Sequence, residues 1–132
     1  MKDLTKYHGI IPAFYACYDD EGNVSPERTR AFAKWLLEKG VKIVAVTLGA
    51  EGALVCTKEG SVVVPGYKAN LVDTTGAGDS FWGGFLHKLL ESGKRPENVT
   101  LEEAASFAKY GNAVASLCVE KRGAIPAMPT LE

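Results

Sequence analysis

The chain has 132 residues, of which 15 are Lys or Arg and 16 are Asp or Glu, with 46% hydrophobic and 23% charged residues. That is the make-up of one globular domain, and a formal charge of −1 excludes the basic footprint of a nucleic-acid binder. No apolar run approaches the ~20 residues that a membrane-crossing helix needs.

From the amino terminus, Gly9 to Tyr15 (GIIPAFY) predicts a short buried strand, with Pro12 removing a ladder donor and pointing to an edge or a bulge. Asp19 to Asn23 is a turn cluster. Ser25-Pro26-Glu27 is a helix start: a hydroxyl cap, a proline in the first turn and an acid near the positive end of the dipole. Phe32, Ala33, Leu36 and Leu37 share one face of that helix, and Gly40 stands where a helix-ending glycine belongs. Lys42 to Thr47 (KIVAVT) predicts a central strand of a parallel sheet, buried on both faces. Glycine-rich turns at Leu48 to Gly52 and Lys58 to Gly60 then lead into Ala53 to Thr57 and Ser61 to Pro65, an antiparallel meander.

After Val72, the run Asp73 to Asp79 (DTTGAGD) opens a helix over Ser80 to Glu91 whose apolar residues cover much of its circumference. Gly83 and Gly84 each lower its helicity by roughly 1 kcal/mol, tolerable where another backbone packs closely. Thr100 and Glu103 form a capping box for a last helix through about Cys118, and Arg122-Gly123-Ala124 turns the chain into a proline-bearing tail.

The heptapeptide Asp73 to Asp79 carries the chemistry. The first N–H groups of a helix have no intrahelical partner, so Gly76, Ala77 and Gly78 could offer amides to a phosphate, glycine allowing close approach. Asp79 would face the same anion, where a carboxylate is useful for accepting a proton from an attacking hydroxyl during phosphoryl transfer. The alternative is a capped helix after a glycine turn, and the residues alone leave both open. Walker-type and dinucleotide-binding readings drop out, because no G-K-[ST] follows a glycine loop and the glycine spacing is wrong. His8 and His87 are isolated, so no metal site is expected. Cys17, Cys56 and Cys118 are odd in number with no C-x-x-C pair, which predicts reduced thiols in apolar packing. The start MKDLTKYHGI lacks a secretion-signal layout, so a soluble, cytoplasmic protein is expected, with no membrane or nucleic-acid partner.

VTLGAEGALV, VDTTGAGDSFWGGFLHKLL and FAKYGNAVASLCVEKRGAIPAMP follow one another in a familiar order and spacing. Residues from about 41 to 128 resemble the carboxy-terminal half of the ribokinase-like (PfkB-type) sugar kinases, fructokinase-type members most closely. The resemblance implies that Asp79 is the catalytic base and that Gly76, Ala77 and Gly78 form an anion hole. It also implies that Thr47, Gly49, Gly52 and Asn112 contact nucleotide. Asp73 and Thr75, with Gly123 and Ala124, match a region that holds a monovalent cation such as K+ in some members. ATP or ADP with Mg2+, bound weakly, is the implied ligand, or a simple phosphate or sulfate.

Residues 1 to about 40, KYHGIIPAFYACYDDEGNVSPERTRAFAKWLLEKGV within them, resemble instead the first strand and helix of the dihydrodipicolinate synthase and N-acetylneuraminate lyase family of (β/α)₈ barrels. The switch falls near Leu36 to Lys42. The expectation is a single α/β domain over residues 1–132, a three-layer αβα sandwich in which a lyase-like βα unit is grafted onto a ribokinase-like half. The sugar-holding part and the Asn-x-x-Glu motif of the kinases have no counterpart here. An engineered chimera without physiological activity, retaining an anion site, is therefore expected; the alternatives are an ATP-dependent sugar kinase and a lyase-type enzyme. Exposed sheet edge predicts a homodimer.

Overall fold

The computed structural model of the chain describes residues 17–130. The expected strand at Gly9 to Tyr15 lies outside the described residues. Helix α1 spans Pro26–Glu38, and its start is as the sequence dictates: the Ser25 hydroxyl accepts the Arg28 N–H at 3.2 Å and Pro26 occupies the first turn. Just before it, the Asp19 carboxylate accepts the N–H groups of Glu21 and Asn23, closing the turn that brings Tyr18 opposite Val24.

Strands β1 (Val44–Thr47), β2 (Ala53–Thr57) and β3 (Gly60–Val64) form an antiparallel meander in the order β1-β2-β3. The register pairs Val44 with Cys56 and Thr47 with Ala53, then Ala53 with Val64 and Thr57 with Gly60. β1 is only half-buried, whereas every residue of β2 is buried, so the central strand among the described residues is β2, a correction to the expectation for Lys42 to Thr47. The reason lies in the two faces. Leu54 and Cys56 pack with Ala33, Leu37, Val44 and Val46 on the α1 side. Ala53 and Val55 point the other way, into a core with Val64, Phe81, Phe85 and Phe107.

That second core belongs to α2 (Ala77–Ser92) and α3 (Leu101–Cys118), which pack against each other and, through α3, on β2 and β3. The described residues therefore form three layers, with α1 and the α2/α3 pair on opposite faces of the sheet. Gly84 and Gly111 allow the close crossing of the two helices: a Cβ on Gly84 would lie 3.0 Å from Gly111 Cα, and one on Gly111 would lie 2.7 Å from Phe81 O. Gly83 faces open space and has no such role. The capping box at α3 is present, with Thr100 Oγ1 accepting the Glu103 N–H at 3.2 Å and the Glu103 carboxylate accepting the Thr100 N–H at 3.0 Å. Lys94, bonded to that carboxylate, together with the Thr100 N–H, holds Glu103 below the usual carboxylate range. Cys56 and Cys118 are buried free thiols, and burial pushes the Cys56 thiol up.

Candidate functional site

α2 begins unlike α3. Its N-cap is Gly76, in the left-handed region at φ +80°, and no side chain caps it. The Ala77 N–H donates to Thr74 O at 3.1 Å and the Ser80 N–H to Gly76 O at 2.8 Å. Between them, the N–H groups of Gly78 and Asp79 find no acceptor among the described residues, and neither does that of Gly76. Of the expected trio Gly76, Ala77 and Gly78, the first and third are open and the second bonds within the turn. The Ala77 amide bonds to Thr74 O, and the Asp79 amide is open as well.

Asp79 stands at the third position of α2, the place that Glu103 holds in α3, yet it does not reach back to bond the N-cap amide. Its carboxylate is exposed and takes no hydrogen bond among the described residues. α3 thus carries a side-chain cap, whereas α2 starts from a glycine turn with none. What remains at α2 is a cluster of backbone donors at the positive end of a 16-residue helix, with an unengaged carboxylate beside it. Ser80 and Phe81 follow directly as buried residues, which anchors the helix start in the core.

The turn before α2 is held from outside. Asp73 accepts the Thr75 N–H on Oδ1 and the Gly123 N–H on Oδ2, both at 2.9 Å. Those bonds, the Thr75 hydroxyl and the charge of Arg122 draw the Asp73 carboxyl down to about 2. Val119 O accepts the N–H groups of both Val72 and Asp73, and Ala124 crowds Gly76 so closely that a Cβ there would lie 2.7 Å from Ala124 Cβ. Residues 118–124 thus form a strap along residues 70–76. Of the groups expected near a monovalent cation, Asp73 binds the N–H groups of Thr75 and Gly123, and Ala124 O takes those of Ala127 and Met128.

The second cluster lies around the glycine turn. Gly49 (φ +61°) and Gly52 (φ +102°) shape a 3-10 turn at Gly49–Glu51 that follows Thr47, and a Cβ on Gly52 would lie 2.0 Å from Val64 O. Asn112, buried on α3, donates its side-chain N–H groups to Val64 O and Pro65 O, each at 3.1 Å, so it fixes the exit of β3 against this turn. Beside it opens a groove of about 520 Å³, lined by Ala50 from the turn, by Gly66, Tyr67, Lys68 and Asn70, and by Glu120 beyond α3. Glu120 was not legible as a groove residue, because a charge past a helix end ordinarily reads as a solvated one.

The groove and the α2 N-terminus are joined by residues 66–77. Among the described residues no three His, Cys, Asp or Glu side chains cluster to grip a metal ion, and no helix is long and apolar enough to cross a membrane.

The family model described as pfkB family carbohydrate kinase matches residues 14–131. The chain is 44% identical over 96 residues to probable fructokinase-5 of Arabidopsis thaliana, an alignment covering 72% of this chain and 29% of that protein. The crystal structure of fructokinase from Vibrio cholerae O395 in its fructose, ADP and calcium ion bound form is similar with a TM-score of 0.69 at 32% identity, covering 81% of this chain and 33% of that one. A stretch of 52 residues, 39% of the chain, is 56% identical to N-acetylneuraminate lyase of Mediterraneibacter gnavus and covers 16% of it. The chain thus spans about a third or less of the length of these relatives. The family match runs through the expected seam at Leu36 to Lys42, and α1 shares a core with β1 and β2 across it. These findings favour the sugar-kinase alternative over an inactive graft.

Proposed function

Because the chain belongs to the pfkB family of carbohydrate kinases, we propose that it carries the nucleotide-phosphate site of an ATP-dependent sugar kinase. The observation that carries this reading is the uncapped start of α2, with the amides of Gly76, Gly78 and Asp79 lacking acceptors next to a carboxylate that caps nothing. Phosphoryl transfer needs little covalent help from a protein; it needs charge neutralised on the transferred group and the attacking hydroxyl relieved of its proton. The amides supply the first and Asp79 the second. As the sugar oxygen forms its bond to the γ-phosphorus, the bond to the β-phosphate bridging oxygen breaks, ADP leaves, and the hydroxyl proton passes to an Asp79 carboxylate oxygen.

Mg2+ arriving with ATP would neutralise phosphate charge through the phosphates and water, which leaves Asp79 to take the proton. Asp73 acts as a positioning residue, holding Thr75 and Gly123 together so that Gly76 keeps its left-handed turn. Asn112 and the Gly49 to Gly52 turn shape the groove that takes the nucleoside. The test is a coupled ADP-release assay with Mg-ATP and common hexoses and pentoses. Turnover that Asp79→Asn lowers at least 100-fold supports the assignment; turnover unchanged by that substitution would sink it.

The lyase likeness motivates a second reading, in which the stretch up to α1 serves as scaffold and brings none of the lyase's amine chemistry. Lys39 sits at the end of α1 with its ammonium 5.6 Å from the Trp35 ring, and both Lys39 and Lys42 are exposed, unlike an enclosed imine-forming lysine. Borohydride reduction with pyruvate should leave the mass of the chain unchanged; a trapped adduct would contradict this.

A further inference from the structure

Glu120 is fixed at one end and open at the other. Its Oε1 accepts the Asn70 N–H at 2.9 Å, a bond that spans 50 residues of sequence and holds the carboxylate against the wall of the groove. Its Oε2 takes no hydrogen bond or ion pair among the described residues. No other carboxylate lines the groove: Tyr67 offers a ring and a phenol, Lys68 an ammonium, Asn70 a neutral carboxamide, and Ala50, Gly66 and Ala69 backbone and small side chains. The groove therefore presents one charged acceptor, held by Asn70, beside an aromatic wall. From Asn70 to Gly76 is six residues, at most ~20 Å of extended chain. That segment is tied to the strap at Val72 and Asp73, so groove and phosphate amides are held in one frame.

We propose that Glu120 reads the base of the bound nucleotide, with Oε2 accepting a hydrogen bond from an exocyclic amine, so that the groove selects adenine over a base that presents a carbonyl at the same edge. This rests on the nucleotide reading of the α2 N-terminus. A fixed carboxylate rewards a donor and repels a carbonyl oxygen, and hydrogen bonds to charged groups are among the stronger ones in proteins.

The substitution Glu120→Gln gives a sharp outcome, because the Asn70 N–H still requires an acceptor. The amide oxygen stays on Asn70, the amide NH2 takes the place of Oε2, and the groove changes from acceptor to donor. Titrating the full chain with ADP and with inosine diphosphate, by calorimetry and by amide NMR shifts, should show roughly tenfold tighter ADP binding in the parent. That preference should vanish or invert in Glu120→Gln while Tm is kept. An equal affinity for the two nucleotides in the parent, or an unchanged ratio in the variant, would overturn the role of Glu120. So would discrimination confined to 2′-deoxy-ADP, which would assign the carboxylate to the ribose. Shifts at Gly76 to Asp79 with both nucleotides but no discrimination would remove only this proposal. No shifts with either would remove the nucleotide reading as well.

Discussion

Asp73 Oδ2 accepts the N–H of Gly123 at 2.9 Å, and this bond ties the turn that opens α2 to the strap that leaves α3, 50 residues later. Because Asp73 Oδ1 also holds the Thr75 N–H, one carboxylate sets both sides of the proposed phosphate site. The ordinary value for the group is 3.8, and in the fold it lies near 2. Its contribution to stability is therefore complete above about pH 4 and is lost as the pH falls through about 2. Comparing Tm against pH for the parent and Asp73→Ala, the gap between them should be constant from pH 7 to about 4 and should close between pH 4 and 2. A gap that widens on acidification would contradict the staple.

The helix crossing makes a paired prediction. Gly111→Ala drives a methyl against Phe81 O and its ring, where neither backbone nor buried ring can yield cheaply, and should cost about 1–3 kcal/mol in urea unfolding. Gly83→Ala, in the same helix pair but facing open space, should instead add about 0.8–1 kcal/mol through helix propensity.

At the phosphate site the two glycines should separate fold from binding. Gly76→Ala places a side chain at φ +80° and within 2.7 Å of Ala124 Cβ, so Tm should fall and ADP binding with it. Gly78 is helical and a Cβ there meets nothing within 4 Å. Gly78→Ala should therefore keep or raise Tm while weakening ADP, if the phosphate comes as close to the backbone as the open amides imply. Thermal shift and calorimetry on the two variants check both halves.

Asn112 was expected to face nucleotide, and the structure has it donating to Val64 O and Pro65 O from a buried position. Asn112→Ala leaves two carbonyls without those donors and should cost about 1–3 kcal/mol by urea unfolding, with ADP affinity falling because the groove wall beside Gly66 loosens.

The local signals in the sequence translated directly. Ser25-Pro26 starts α1, Thr100 with Glu103 starts α3, and the glycine turns mark the ends of β2 and β3, because each depends on residues a few positions apart. The meander itself was legible; which strand lies deepest was not. Apolar β-branched runs at 42–47 and 53–57 look alike, and only packing on both faces distinguishes β2. At the site, the heptapeptide announced the donors and the acid, but not that Ala77 is spent on Thr74 and that Asp79 fails to cap. The strap contacts Asp73 to Gly123 and Asn70 to Glu120 join residues 50 apart, and no local pattern encodes them.

The central claim is that the open start of α2 binds nucleotide phosphate, and an amide NMR titration of the full chain with ADP tests it most directly. The account predicts saturable shifts at Gly76, Gly78 and Asp79, with the bonded amides of Thr100, Leu101 and Glu103 unmoved as the internal control. Shifts absent at millimolar ADP, or equal at the two helix starts, would contradict it.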